Sequence, residues 1–232
     1  MISIDGLDKS YGDHRVLDGL TFEARAGQVT LLVGANGSGK STTLRVLAGV
    51  SRRGAGTVTV AGQALAPEGS TACASLSYLP QSPRFHPHLS VQDILRFYAR
   101  LRGLPLSRVA EVAKQWGLSD RLVTPTGKLS GGLKQRVALA VFSLPEAPVL
   151  VLDEPGLSLD PDWRRFLQDE LSAAASRGQT VLVATHLLGE WDGNADRCLV
   201  LEHGRLSREL PPDRLREAFP FAVPHAARAS AG

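Results

Sequence analysis

Short, nearly uninterrupted apolar runs recur along the chain, each followed by a glycine or a polar turn. They cover Ile2 to Leu7, Val29 to Val33, Thr57 to Val60, Leu76 to Leu79, Val149 to Leu152, Thr180 to Ala184 and Cys198 to Leu201. Runs of this length, bounded by turn formers, predict strands. Val149-Leu150-Val151-Leu152 and Val181-Leu182-Val183-Ala184 are apolar at every position, which predicts strands buried on both faces, as in a parallel sheet covered by helices. Between the strands the apolar spacing lengthens to the helical period over Lys40 to Ala48, Val91 to Leu101, Arg108 to Trp116, Gly131 to Phe142 and Asp162 to Ser176. Alternation of the two periods predicts an α/β fold.

Between Leu79 and Ala147 only the helical period is found, so that stretch reads as an all-helical insertion into the α/β core. Length agrees with this, because 232 residues at about 150 per domain make about 1.5 domains. From Pro211 onward, prolines and small residues follow without a period, and residues 211–232 are expected to form a partly disordered tail. The segment Met1 to Gly12 places Asp5, Asp8 and Lys9 where a secretory leader needs an unbroken apolar run, so no leader is expected. No apolar run approaches the ~18 to 20 residues that a membrane-crossing helix requires.

Composition narrows the partners more than the fold. Lys and Arg number 26 against 23 Asp and Glu, and no basic run is longer than Arg52-Arg53 or Arg164-Arg165, so no nucleic-acid partner is expected. The two cysteines, Cys73 and Cys198, stand far apart without a CxxC spacing and read as buried free thiols. His86 and His88 lack a third ligand nearby and read as solvated loop residues.

Chemistry enters after the apolar strand Leu31-Leu32-Val33. Gly34-Ala35-Asn36-Gly37-Ser38-Gly39-Lys40-Ser41-Thr42 matches GxxxxGK[ST] between a strand and a helix, the context a phosphate-binding loop requires. The glycines allow backbone N–H groups to wrap a phosphate chain, and the helix N-terminus adds partial positive charge. Lys40 would reach the terminal phosphates and Ser41 would ligate Mg2+. The strand Val149 to Leu152 ends in Asp153-Glu154, a carboxylate pair suited to holding Mg2+ through Asp153 and polarising an attacking water through Glu154. Leu129-Ser130-Gly131-Gly132-Leu133-Lys134-Gln135-Arg136 opens a further helix, either as an ordinary serine cap or as a second phosphate-binding helix start.

Together these motifs resemble the ATP-binding-cassette (ABC) ATPases, in which an LSGG signature with trailing Gln-Arg stands just upstream of a strand like VLVLDEP. The resemblance extends from about Ile2 to Leu210. It implies a P-loop NTPase (RecA-like) core with an antiparallel β-subdomain and an all-helical insertion, the ATP-binding domain spanning 1–210 with a helical subdomain at about 82–146. It further implies that Tyr11, in Lys9-Ser10-Tyr11-Gly12, stacks on adenine. Gln81, in Tyr78-Leu79-Pro80-Gln81, would sense Mg2+ and the attacking water. His186, after Thr185, would contact the γ-phosphate. Ser130, Gly131 and Gly132 of one copy would complete the phosphate loop of another, giving a dimer sandwiching two ATP. Gly156, Leu157 and Ser158 depart from the family's usual residues in the dimer-contacting loop, and Leu133 replaces the commoner glutamine.

The same resemblance implies integral membrane permease subunits on separate chains, docking over Ser82 to Leu101, and a cytoplasmic place at the inner face of the cell membrane. Bacterial exporters are the implied class. The alternative is a soluble ABC ATPase that energises assembly of a metal or iron–sulfur scaffold complex.

Overall fold

The computed structural model describes residues 1–66, 75–186, 191, 193–211 and 214. Strands β1 (Ile2–Tyr11), β2 (His14–Ala24) and β3 (Val29–Val33) lead into helix α1 (Lys40–Leu47). Strands β4 (Thr57–Val60), β5 (Gln63–Ala64) and β6 (Leu76–Leu79) follow, then helices α2 (Val91–Leu101), α3 (Ser107–Gln115) and α4 (Gly131–Ser143). The chain closes with β7 (Val149–Asp153), α5 (Pro161–Ser176), β8 (Thr180–Ala184), β9 (Arg197–Glu202) and β10 (Arg205–Leu210).

Two sheets result. One is antiparallel, in the order β2-β1-β4-β5, and the other has six strands in the order β10-β9-β3-β8-β7-β6. In the larger sheet β9, β3, β8, β7 and β6 are parallel and only β10 runs against its neighbour. The expected α/β class is the observed one.

The uniformly apolar strands divide by alternation between two cores. Val29, Leu31, Val33, Leu150, Leu152, Val181 and Val183 face a core shared with α2, α3, α4 and α5. Leu32, Val149, Val151, Leu182 and Ala184 face a second core built with α1 and the antiparallel sheet. Every residue of β3, β7 and β8 is buried. Period-two alternation is therefore present in these strands, but both faces are apolar and the sequence pattern conceals it.

Three strands escaped the sequence pattern. β2 alternates between buried and exposed positions, and Asp18 and Gly19 interrupt its apolar side. β5 is two residues long, and β10 is a largely exposed, charged edge strand. All five expected helices are observed, with ends shifted by a residue or two.

The helical stretch between β6 and β7 is fixed by caps and by one aromatic cluster. Ser90 caps α2, its Oγ accepting from the Asp93 N–H at 3.2 Å while the Ser90 N–H donates to the Asp93 carboxylate at 3.1 Å. Trp116, at the end of α3, is buried and donates through Nε1 to Ser143 Oγ at 3.1 Å. Its ring stacks with Trp163 of α5 at 6.3 Å and meets Phe166 edge-on at 5.4 Å.

Burial pushes the Cys198 thiol up to about 12, so it is an inert packing group. Cys73 and nearly all of the expected tail lie outside the described residues. Among the described residues no helix is long and apolar enough to cross a membrane.

Truncating the aromatic anchor tests this packing. Trp116→Ala is expected to lower the unfolding free energy by about 3–5 kcal/mol, and Trp116→Phe by less because it retains an aromatic ring. Urea unfolding followed by circular dichroism measures both, and a loss below about 1 kcal/mol for the alanine variant would contradict the anchor.

Candidate functional site

The turn between β3 and α1 is shaped by close backbone approach. A Cβ on Gly34 would overlap the Leu201 carbonyl oxygen and lie 2.7 Å from Ser38 Oγ. Gly39 occupies the cap position of α1 with φ +108°, and a Cβ there would meet Leu17 Cδ2 at 2.6 Å. Gly39 supplies no side-chain acceptor to the helix, so the first amides of α1 have no side-chain cap. Lys40 folds back over this turn, its Nζ donating to the carbonyls of Gly34 at 2.8 Å and Ala35 at 3.2 Å. Burial holds the Lys40 ammonium below the usual lysine range, against the opposing pull of Glu154 and Asp153.

A cleft of about 320 Å³ lies over the turn, lined by Asn36, Gly37, Gly39, Lys40, Ser41, Thr42, Gln81, Glu154 and Val16. The fold brings these together from the C-terminal ends of β3, β6 and β7. Ser38 is buried, with its N–H on the Ala35 carbonyl at 3.1 Å. Val16 comes from β2, which carries no motif.

Asp153 ends β7 almost fully buried. Ser41 Oγ donates to its Oδ1 at 3.1 Å, while Oδ2 is buried without a hydrogen-bond partner among the described residues. Burial, first, and then the neighbouring Glu154 push its carboxyl above the ordinary range; Ser41, Arg45 and Lys40 pull it down. A hydroxyl beside a carboxylate with an unpartnered buried oxygen fits a hard divalent cation such as Mg2+.

Glu154 adopts φ +48°, an uncommon backbone state for a non-glycine residue. Its N–H donates to the Ala184 carbonyl at 2.9 Å, tying the turn to β8. His186 Nδ1 lies 2.8 Å from Glu154 Oε1, and the His186 N–H donates to Oε2 at 3.4 Å. A carboxylate only accepts, so this contact assigns the ring proton to Nδ1. Glu154 is buried and the imidazole about half exposed.

Other residues singled out by sequence stand apart from the cleft. Tyr11, at the end of β1, is half exposed, with Lys9 Nζ 4.8 Å above its ring and its hydroxyl 3.3 Å from Ser51 Oγ. Ser130 caps α4, its Oγ accepting from the Leu133 N–H at 3.3 Å. Ser130 and Gly131 are exposed, and neither they nor Gly132 line the cleft. Gly132 packs on the 155–160 loop, where a Cβ would lie 3.0 Å from the Ser158 carbonyl oxygen. Gln135, the glutamine that trails the signature, donates through Nε2 to the Pro155 carbonyl at 2.9 Å.

A larger cleft, of about 600 Å³, separates α3 and α4 from α5 and holds none of the motif residues. Its rim charges are engaged within the chain, Arg108 with Glu146 at 3.1 Å and Gln115 with Glu170 at 2.7 Å.

The ABC transporter family matches residues 17–156, which include the phosphate loop, the signature and the strand-end carboxylates. The Nod factor export ATP-binding protein I of Ralstonia nicotianae is 33% identical over 219 residues, covering 93% of this chain and 68% of that protein. The ATP-binding subunit of an ABC transporter, a solved structure, superposes with a TM-score of 0.86 at 28% identity, covering 95% of this chain and 93% of the other. A bacterial Atm1-family ABC exporter with ATP bound matches with a TM-score of 0.83 at 28% identity, over 94% of this chain and 39% of that longer one. With the family match spanning more than half of the sequence and its chemical motifs, the chain belongs to the ABC transporter family.

Proposed function

We propose that this chain is the ATP-hydrolysing subunit of a bacterial ABC exporter. Two copies close around two ATP molecules and drive separate integral membrane permease subunits from the cytoplasmic face of the cell membrane. The observation that carries the reading is the convergence of Lys40, Ser41, Asp153 and Glu154 on one turn, with His186 hydrogen-bonded to Glu154.

The contacts support the following roles. Gly34, Asn36, Gly37, Ser38, Gly39 and Thr42 form the phosphate cradle with the first amides of α1. Lys40 exchanges the Gly34 and Ala35 carbonyls for phosphate oxygens, a replacement of neutral acceptors by anionic ones. Mg2+ held by Ser41 and Asp153, with Gln81 at its water shell, would neutralise phosphate charge and polarise the phosphoryl oxygens. Glu154 orients a water and accepts its proton as the oxygen attacks the γ-phosphorus and the bond to ADP breaks. His186 fixes the Glu154 carboxylate through its Nδ1–H, and a second proton on Nε2 would let the same ring donate to a γ-phosphate oxygen.

Ser130 and Gly131 are exposed, Gly132 is partly buried, and none of the three lines their own chain's cleft, which supports their use by a second copy. Tyr11, half exposed at the end of β1, would stack on adenine. The similarity to a Nod factor export ATP-binding protein and to an Atm1-family exporter favours export over scaffold assembly.

Lys40→Ala is expected to lower ATP turnover by about a hundredfold or more, read in a phosphate-release assay; unchanged turnover would remove the phosphate-loop assignment. Glu154→Gln is expected to bind ATP without hydrolysing it and to run as a dimer on size exclusion with MgATP. Isolated from detergent-extracted membranes, it should carry a multi-helix membrane protein. A variant that stays monomeric with MgATP would sink the sandwich, and a soluble scaffold in the isolate would sink the exporter.

Asp153 supplies a prediction with a definite sign. Its folded-state affinity for a proton is raised, so ionisation destabilises the nucleotide-free fold as pH rises from the unfolded value through the folded one, and the penalty is complete above both. Asp153→Asn is therefore expected to melt higher than the parent at neutral pH without nucleotide or metal, while losing Mg2+-dependent turnover. A lower melting temperature would show that the carboxylate is net stabilising.

A further inference from the structure

The start of α4 is fastened to the chain that leaves Glu154 by three separate contacts. Two are the approach of Gly132 to the Ser158 carbonyl and the Gln135 bond to the Pro155 carbonyl. The third is a stack: the Arg136 guanidinium carbon lies 4.4 Å from the ring centroid of Trp163. Trp163 sits in the first turn of α5, its backbone N–H on the Asp160 carboxylate at 3.0 Å, so its backbone is tied to the end of the same 155–160 loop. Trp116 and Phe166 pack on that ring from the other directions.

Gly117 keeps the stack closed. Its φ is +61°, and a Cβ there would lie 2.8 Å from Arg136 Nη1 and 2.9 Å from Trp163 Cζ2. The ends of α3, α4 and α5 thus converge on one guanidinium. Asp160 and Asp120 supply the surrounding negative charge and Arg121 the opposing positive one.

We infer that Arg136, stacked on Trp163, is a positioning residue that sets the Ser130–Gly132 turn for the nucleotide of the second copy. Less than two helical turns separate it from Ser130, so a tilt of α4 about this stack displaces the exposed Ser130 Oγ and Gly131 amide. The same stack braces the segment that begins at Glu154. Nucleotide state at one chain's Glu154 is thereby linked mechanically to the turn that the chain presents to its partner's phosphate loop. Lysine would keep the charge at position 136 but not the plane that lies on the indole. The inference rests on the two-copy reading of the preceding subsection.

The test uses the full chain carrying Glu154→Gln. Adding Arg136→Gln is expected to raise the ATP concentration for half-maximal dimerisation about tenfold, while ATP affinity of the dilute monomer stays within about twofold. Arg136→Lys should give an intermediate shift. Dimerisation at the parent's ATP concentration, or an equal loss of monomer affinity, would overturn the inference. If the parent itself stays monomeric, the two-copy reading fails and hydrogen exchange without nucleotide decides the positioning role alone. Amides of residues 131–134 should then exchange about tenfold faster in Arg136→Gln than in the parent, and unchanged rates would overturn it. Should Arg136→Gln fold poorly, the same two measurements on Arg136→Lys, which preserves the charge, carry the decision.

Discussion

A sheet covered on both faces leaves polar chemistry nowhere to go but its edges. β3, β7 and β8 have no exposed residue, and an ionised side chain in their middle would face hydrocarbon on either side. At the C-terminal ends of the parallel strands the backbone turns away from its ladder. There β3 delivers the phosphate loop, β6 delivers Gln81, β7 delivers Asp153 and Glu154, and β8 delivers Thr185 and His186. These four strands are consecutive neighbours in the sheet, so groups far apart in sequence meet across a few strand spacings.

The resulting cluster combines desolvated charge with an uncommon backbone state. Lys40 is desolvated and donates to two carbonyls of its own loop. Asp153 is buried with one oxygen unpartnered, and Glu154 holds a left-handed backbone. Each of these costs free energy that nucleotide binding would recover, and the site thereby gives up stability for pre-organisation. The larger cleft beside α5 shows the contrast. Its charges already have partners, and it lacks the unmet demand that marks the phosphate-loop cleft.

What could be read from sequence is what the chain encodes locally. GANGSGKST carries its own turn, its own glycines and its own helix start, and VLVLDE carries both strand and carboxylates. β2 and β10 were illegible because edge strands present polar residues that hide the alternation, and with β2 went Val16 as part of the cleft wall. Arg136 was legible as the end of the signature, but its pairing with Trp163 was not, since a stack between residues on separate helices has no spacing to detect. The signature turn was legible as a motif, but its distance from the phosphate loop of its own chain is a property of the three-dimensional arrangement.

The position of β3 has a consequence for how the protein is born. The strand that carries the phosphate loop lies between β8 and β9, and the Val29 N–H donates to Asp196 Oδ2 at 2.7 Å, a residue 167 positions later. At ribosomal rates of about 5–20 residues per second, roughly ten to thirty seconds pass before that partner is even synthesised. Through that interval β3 is an apolar strand with both ladder edges bare, a template for pairing with other chains. The nascent polypeptide therefore needs shielding late into translation, and a premature stop before β8 would release a fragment with an aggregation-prone strand instead of a partial enzyme.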